Sequence, residues 1–306
     1  MQNNILITVF TPTYNRGYII ENLYKSLKQQ QSNNFEWLVI DDGSTDNTAS
    51  LFEKWVNEKN KFNIKYVKTN NNGKPRAINK ALQIATGRYL FMVDSDDYIT
   101  EDAILKLERW VNEIDDKEDI IAVGVARAYP NGEYIKGIEP TIDDDIGYVD
   151  ATNLERKNYN LDADMCEAYK IDIMKKFPFE VWKGEKFAPE EIVLNEIALH
   201  GYKVRWHKDK IYICEYLDDG LTKGNWNLLK SNPMGYAMLY NHKLKFTKKK
   251  LERFNYCCQH IALSIIGKQY KYIFKSNAKL LNIIALPFGF ILSIRRKEQF
   301  RENEVV

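Results

Sequence analysis

Tyr89-Leu90-Phe91-Met92-Val93-Asp94-Ser95-Asp96-Asp97 is an apolar run that ends abruptly in three carboxylates within four positions. Five apolar residues between Gly87 and a polar turn have the length of a buried strand, not of a helix. Two other runs close in the same way. Residues 5–10 pass into Thr11-Pro12-Thr13-Tyr14, and residues 35–40 pass into Asp41-Asp42-Gly43-Ser44. Further strands are predicted over 64–68 and 120–126, with helical patterns over 18–30, 45–58, 75–85 and 101–114 between the runs. This alternation predicts βαβ units and an α/β fold with a mainly parallel sheet flanked by helices. In such an open sheet, ligands bind beyond the carboxyl ends of the strands, so the three polar clusters are expected to converge on one crevice. Pro75 suits a first helical turn, Gly87 a helix C-terminal cap, and Thr100 an N-cap before Glu101.

The composition narrows the class. The chain has 306 residues, 44% hydrophobic and 28% charged, which is enough for one large or two modest domains with a sizeable core. A net charge of +2 demands no nucleic-acid partner, so electrostatic partners must be argued from local clusters. The four cysteines, Cys166, Cys214, Cys257 and Cys258, show neither CxxC nor His/Cys ligand spacing, which argues for buried reduced thiols in a cytoplasmic setting. Residues 1–4 run directly into the first strand without the pattern of a secretory leader.

From about Tyr129 the sequence becomes turn-rich, with Pro130-Asn131-Gly132 and the run Asp143-Asp144-Asp145, which is expected to be a solvated loop. A segment over 161–169 and a helix-like 171–176 follow, then a helix over 192–200 and strands near 204–206 and 211–215. From about Trp226 the chain reads as helical. Residues 280–294 are almost wholly apolar but contain Pro287 and Gly289, and Arg295-Arg296-Lys297 follow. That is short of the roughly 20 residues needed to span a bilayer. Shallow insertion, aided by the lysines of 243–253, stands against a buried core helix with solvated lysines.

The strand ends carry the candidate chemistry. Asp94 and Asp96 are two apart, and on backbone still extended they would project to one side and face one cation. Carboxylates without His or Cys suit Mg²⁺ or Mn²⁺ bound together with phosphates. A lone Asp-x-Asp is equally an acidic loop before a helix. Of Asp41 and Asp42, one is suited to a base N–H or ribose hydroxyls and the other to the turn, with Ser44 placed to cap the next helix. Lys74 and Arg76 flank Pro75 at a helix N-terminus, where an anion is favoured.

The succession from Val9 to Arg16, from Trp37 to Asp46 and from Gly87 to Asp97 closely resembles family 2 of the inverting GT-A glycosyltransferases, of the kind that builds bacterial capsules and exopolysaccharides. The match is dense over the first hundred residues and weaker to about Leu221. The resemblance implies the GT-A nucleotide-diphospho-sugar transferase fold with a helical C-terminal extension. It also implies that Thr11, Pro12, Tyr14, Asp42, Lys74, Asp94 and Ser95 bind the nucleotide sugar, and that Asp96, with Asp94, carries Mn²⁺ or Mg²⁺. The family places an acidic base at the start of a later helix, commonly as Glu-Asp. The matching stretch here is Pro189-Glu190-Glu191, with Glu in place of Asp, so Glu191 is the expected base and Glu190 its rival. Without the resemblance, two glutamates in a first turn are helix-dipole partners.

The implied reaction is a single displacement that moves one sugar from a nucleotide-diphosphate donor to a saccharide or lipid-linked acceptor. The expected organisation is a catalytic domain over 1–222, split into a nucleotide half (1–128) and an acceptor half (129–222), then a helical region over 223–306. The cytoplasm, with the inner face of the cell membrane as a further partner surface, is the expected location. On the acceptor side, Asp218-Asp219-Gly220-Leu221-Thr222 resembles a segment of polysaccharide-building members, and Tyr216, Trp226 and Tyr236 are candidates to stack on sugars as well as core aromatics. Lys203-Val204-Arg205-Trp206 keeps only the Arg-Trp of the processive-synthase pattern, and of the histidines only His207 is considered near the site. Two rivals remain: a phosphatase of the haloacid dehalogenase type, and a catalytically silent nucleotide-binding or membrane scaffold.

Overall fold

The computed structural model of the chain describes residues 5–214 and 225–302. Tyr216 and residues 218–222, considered above for the acceptor side, lie outside them. The first half runs β1 (Ile7–Thr13), α1 (Glu21–Lys28), β2 (Phe35–Asp41), α2 (Thr48–Asn57), β3 (Asn63–Lys68), α3 (Lys74–Ile84), β4 (Tyr89–Met92), β5 (Tyr98–Ile99), α4 (Ala103–Glu113) and β6 (Ile120–Ala126). There follow β7 (Tyr148–Ala151), β8 (Met165–Lys170), α5 (Ile171–Met174), α6 (Glu191–Leu199), β9 (Lys203–His207) and β10 (Tyr212–Ile213). The C-terminal helices are α7 (Asn225–Ser231), α8 (Pro233–Lys243), α9 (Lys250–Ile266), α10 (Tyr270–Ile273) and α11 (Lys279–Glu302).

The chain forms two compact units, one of residues 1–178 and 195–215, the other of residues 179–194 and 216–306. The first holds an eight-stranded sheet in the order β3-β2-β1-β4-β8-β6-β9-β7. The pairs β1/β2, β2/β3, β1/β4 and β6/β9 are parallel, while β8 lies antiparallel between β4 and β6, and β7 is an antiparallel edge. The mainly parallel sheet is therefore as predicted. Its parallel strands read as continuous apolar runs because both faces are covered: every residue of β2 and of β6 is buried. An aromatic cluster seals one face, with Tyr24 stacked on Trp55 (4.4 Å between centroids) and Phe52 on Tyr66 (4.6 Å).

Three expected caps differ in the structure. Asp102, not Thr100, precedes α4, and the Thr100 hydroxyl donates to the Asp102 carboxylate (2.6 Å). Ser44 does not cap α2, which starts after Asn47; its hydroxyl accepts the Asn15 N–H (2.8 Å) and so ties the β1 loop to the β2 loop. Gly87 lies beyond the end of α3 at Ala85, and a Cβ there would stand 2.6 Å from the Thr8 nitrogen, so close passage over β1 is what requires glycine. Pro75 sits in the first turn of α3 as expected. Asp143, Asp144 and Asp145 are exposed, the expected solvated loop.

In the second unit, α9, α10 and α11 contribute to a core that includes Cys257, Cys258, Ile261, Ile273 and Ala285, and α8 packs on α9 through Met234, Ala237 and Leu263. Residues 280–294, interrupted in sequence terms by Pro287 and Gly289, form part of one helix that runs through both. A Cβ on Gly289 would lie 2.6 Å from Ile261, so glycine lets α11 approach α9 closely. Glu185 accepts the N–H groups of Met234 and Gly235, both at 2.8 Å, and thereby satisfies the first turn of α8.

Candidate active site

Because β1, β2, β3 and β4 run in one direction, the loops after them emerge along one edge of the sheet. The loop after β4 does not stay extended. The Asp97 N–H donates to the Asp94 carbonyl (3.2 Å), so residues 94–97 form a turn, and the same-side premise for Asp94 and Asp96 gives way to a tighter arrangement.

Asp94 is held by two cations, with Lys74 Nζ on Oδ1 at 2.8 Å and Arg127 Nη2 on Oδ2 at 3.1 Å. Burial opposes ionisation there, yet Lys74 and Arg127 together hold this carboxyl well below the usual carboxylate range. Arg127 also donates to Asp97 (3.2 Å) and to the Met165 carbonyl (3.1 Å), and its guanidinium lies over the Tyr212 ring at 4.5 Å. Tyr212 closes the network, since its hydroxyl accepts the Asp94 N–H (3.0 Å) and donates to Asp97 (2.6 Å). Burial pushes the Asp97 carboxyl up to about 7, with Arg127 opposing and Asp94 adding to the rise.

Asp96 is in a different situation. Arg16, from the loop after β1, reaches it at 3.7 Å. Burial, and then the charge of Asp94, raise its pKa above the ordinary value, so ionised Asp96 would be stabilised by additional positive charge. Among the described residues, no three His, Cys, Asp or Glu side chains come together as a cage for a metal ion. The donors at this turn are carboxylate oxygens alone. That set fits a hard divalent cation bound through one or two carboxylates, with water and phosphate oxygens completing the shell.

Asp41 and Asp42 divide their work. Asp41 accepts the Ser44 N–H (2.7 Å) and the Tyr66 hydroxyl, the turn role expected of one of the pair. Asp42 accepts the N–H groups of Asn72 (2.7 Å) and Gly73 (2.8 Å), and so shapes the loop from which Lys74 projects. Gly73 has φ +92°, a conformation that favours glycine. After β1, Thr11 is fully buried and its hydroxyl accepts the Trp37 indole N–H (3.0 Å), whereas Pro12 is half-buried and Tyr14 is exposed. Ser95 is buried within the turn. Arg76 donates to the Asn72 carbonyl (2.7 Å).

Glu191, the first residue of α6, belongs to the second unit, where it pairs with Lys243 at 3.0 Å. Tyr236 of the same unit is tilted against Phe187, and Trp226 meets Phe300 edge-on. His207 is buried against Trp110, Arg205 pairs through two hydrogen bonds with Asp150, and Trp206 is fully buried, so the Arg-Trp pair serves the sheet. Sequence reasoning missed Arg127 and Tyr212. Their only signal in the sequence is an arginine just past an apolar run and a tyrosine in a short strand.

The model of glycosyl transferase family 2 matches residues 8–176, more than half of the chain. The chain belongs to glycosyl transferase family 2. This family 2 member is a glycosyltransferase, and the haloacid dehalogenase alternative is not favoured. It is 26% identical over 233 residues to glycosyltransferase GlyG of Streptococcus pneumoniae, covering 73% of the chain and 75% of that relative. It is 37% identical over 108 residues to the poly(ribitol-phosphate) β-N-acetylglucosaminyltransferase TarS of Staphylococcus aureus, which covers 35% of the chain but only 19% of that longer protein. In three dimensions the enzyme resembles S. aureus TarS 1–349 in complex with UDP-GlcNAc, with a TM-score of 0.61 at 19% identity over 97% of this chain and 92% of the other. It also resembles the mannosyltransferase PcManGT of Pyrobaculum calidifontis in complex with GDP-Man and Mn²⁺, with a TM-score of 0.55 at 17% identity over 96% of this chain and 83% of the other. The fold of this family 2 glycosyltransferase is thus GT-A, with a helical C-terminal part.

Proposed function

We propose that this glycosyltransferase moves one sugar per binding event from a nucleoside-diphosphate sugar to a saccharide or lipid-linked acceptor, with inversion, in the synthesis of a cell-surface polysaccharide. The observation that carries the proposal is the turn after β4, where Asp94 is clamped between Lys74 and Arg127 while Asp96 stands half-buried beside it with a raised pKa. Support comes also from a relative that is a poly(ribitol-phosphate) β-N-acetylglucosaminyltransferase and from similar structures solved with UDP-GlcNAc or with GDP-Man and Mn²⁺.

In this reading Pro12 and the exposed ring of Tyr14 contact the nucleotide, and Thr11 fixes that loop from behind through Trp37. Asp42 sets the loop before α3, and Lys74 and Ser95 line the approach to the diphosphate. Asp96, with Asp94 behind it, would hold a divalent cation, Mn²⁺ or Mg²⁺, whose contribution is Lewis-acid stabilisation of the departing diphosphate. Glu191 takes the proton of the acceptor hydroxyl, which attacks the anomeric carbon; one displacement inverts the centre. Residues 1–222 form the transferase region and 223–306 a helical extension, working at the cytoplasmic face of the cell membrane.

Product analysis with a panel of nucleotide sugars tests this. We expect a nucleoside diphosphate together with a new glycoside. Asp96→Asn should lower turnover by about 10²-fold or more at saturating donor. Glu191→Gln should keep the donor-induced rise in melting temperature but lose transfer, with Glu190→Gln as its control. Release of inorganic phosphate without a glycoside, or full turnover by Asp96→Asn, would defeat the proposal.

A further inference from the structure

The helix α11 presents an apolar side to solvent. Its small and polar residues face the protein: Asn282, Ala285, Gly289 and Ser293 are buried, spaced three or four apart along one side. On this inward side the Asn282 amide nitrogen donates to the Ile273 carbonyl (2.9 Å) and the Ser293 hydroxyl to the Phe290 carbonyl (2.7 Å). Leu281, Leu286 and Leu292 are half-buried and pack against the core beside that stripe, whereas a further set of large apolar side chains faces outward. Leu280 is 81% exposed, Ile284 62%, Ile283 59%, Ile291 55%, Phe288 54% and Ile294 45%. At 100° per residue these six fall on one continuous side, opposite the buried stripe. An exposed apolar strip of this extent marks an interaction surface.

The charge around the strip identifies what covers it. Between Lys279 and Lys297 the helix contains no Asp or Glu, and exposed Lys279, Arg295 and Lys297 stand at the two ends of the strip. Residues 243–306 carry fourteen Lys or Arg against four Asp or Glu, whereas residues 1–242 carry thirty against thirty-eight. The near-neutral total therefore conceals a basic C-terminal region and an acidic remainder. Two copies meeting through this face would bring like charges together, which opposes pairing. An anionic surface with an apolar layer beneath satisfies both features at once. No helix among the described residues is long and apolar enough to cross a membrane. The apolar stretch 280–294 is about 22 Å long at 1.5 Å per residue, less than the roughly 30 Å of a hydrocarbon core.

We propose that α11 is a membrane-docking helix that lies in the plane of an anionic bilayer. Leu280, Ile284, Phe288 and Ile291 enter the acyl boundary, and Lys279, Arg295 and Lys297 sit among the head groups. The inference stands independently of the transfer reaction, so its failure would leave the catalytic assignment untouched.

Flotation of the full chain with vesicles tests it. Wild type should float with phosphatidylcholine containing phosphatidylglycerol, less so as salt rises, and weakly with phosphatidylcholine alone. The double variant Ile284→Glu, Ile291→Glu changes exposed positions, so circular dichroism and melting temperature should be retained while lipid partitioning falls at least about tenfold. Wild type that stays with the unbound protein on anionic vesicles, or a variant that floats equally well, overturns the proposal. So does a lipid-free dimer of the wild type that the same substitutions dissolve, because the strip would then be an interface between copies.

Discussion

At the scale of single residues, the site depends on how Arg127 divides its donors. Its guanidinium serves Asp94, Asp97 and the Met165 carbonyl while lying over Tyr212, a use of planar geometry that an ammonium cannot reproduce. Arg127→Lys keeps the charge but satisfies at most part of this set. We expect the variant to fold with a modestly lowered melting temperature and to lose about 10²-fold in kcat/KM, because Asp94 and the turn that carries Asp96 would no longer be fixed. Arg127→Met should be much worse in stability, by about 3–5 kcal/mol, since it removes the cation paired with buried Asp97 and leaves Asp94 with Lys74 alone. Steady-state kinetics on Arg127→Lys decide the matter; wild-type kcat/KM in that variant would remove Arg127 from the positioning of the turn.

At the scale of elements, the parallel strands were legible because burial on both faces makes each a continuous apolar run, as in β2 and β6. The three strand-end clusters were legible for the same reason, being abrupt polar interruptions. What was hidden depends on pairing between distant segments. Nothing local marks β8 as the antiparallel strand inserted between β4 and β6, and β5 and β10 are two residues each, held by pairing with one another and, for β10, by a bridge to Ala128. Arg127 meets Asp94 across 33 positions and Tyr212 meets it across 118, so no motif joins them. Pro287 and Gly289 read as breaks, but α11 continues through both, glycine being required by the contact with Ile261. The seam between α4 and β9 offers a test at this scale. His207 of β9 stacks on Trp110 of α4 at 4.1 Å between centroids, and burial, with Arg205 and Arg109 adding, lowers its pKa to about 3. The unfolded chain binds a proton there below about pH 6.5 while the folded chain does not, so this stability is present above that pH and lost as pH falls toward 3. Between pH 7 and pH 5 the loss from this group is about 2 kcal/mol. His207→Phe keeps a ring against Trp110 and removes the titration. Urea unfolding of both proteins should show the wild type losing that much relative to the variant, and a pH-independent difference would refute the assignment.

At the scale of the whole molecule, the four cysteines fall two to each compact unit. Cys166 and Cys214 lie in the core of the sheet-bearing unit, and Cys257 and Cys258 in the core formed with α9 and α11. All four are free and buried. Burial pushes the thiols of Cys214 and Cys257 up to about 12 and about 11 and raises that of Cys166 well above the ordinary thiol value, so the reactive thiolate is scarce in the native protein. Alkylation should therefore be slow until the surrounding core opens, which makes each pair a reporter of its own unit. The helical unit has the smaller core, and the fraction of surface buried on folding falls with size, so this unit is the more marginal of the two. We expect Cys257 and Cys258 to become labelled at lower urea than Cys166 and Cys214, read by mass spectrometry of the alkylated peptides. A single shared midpoint for all four sites would instead mean that the two cores melt as one cooperative body.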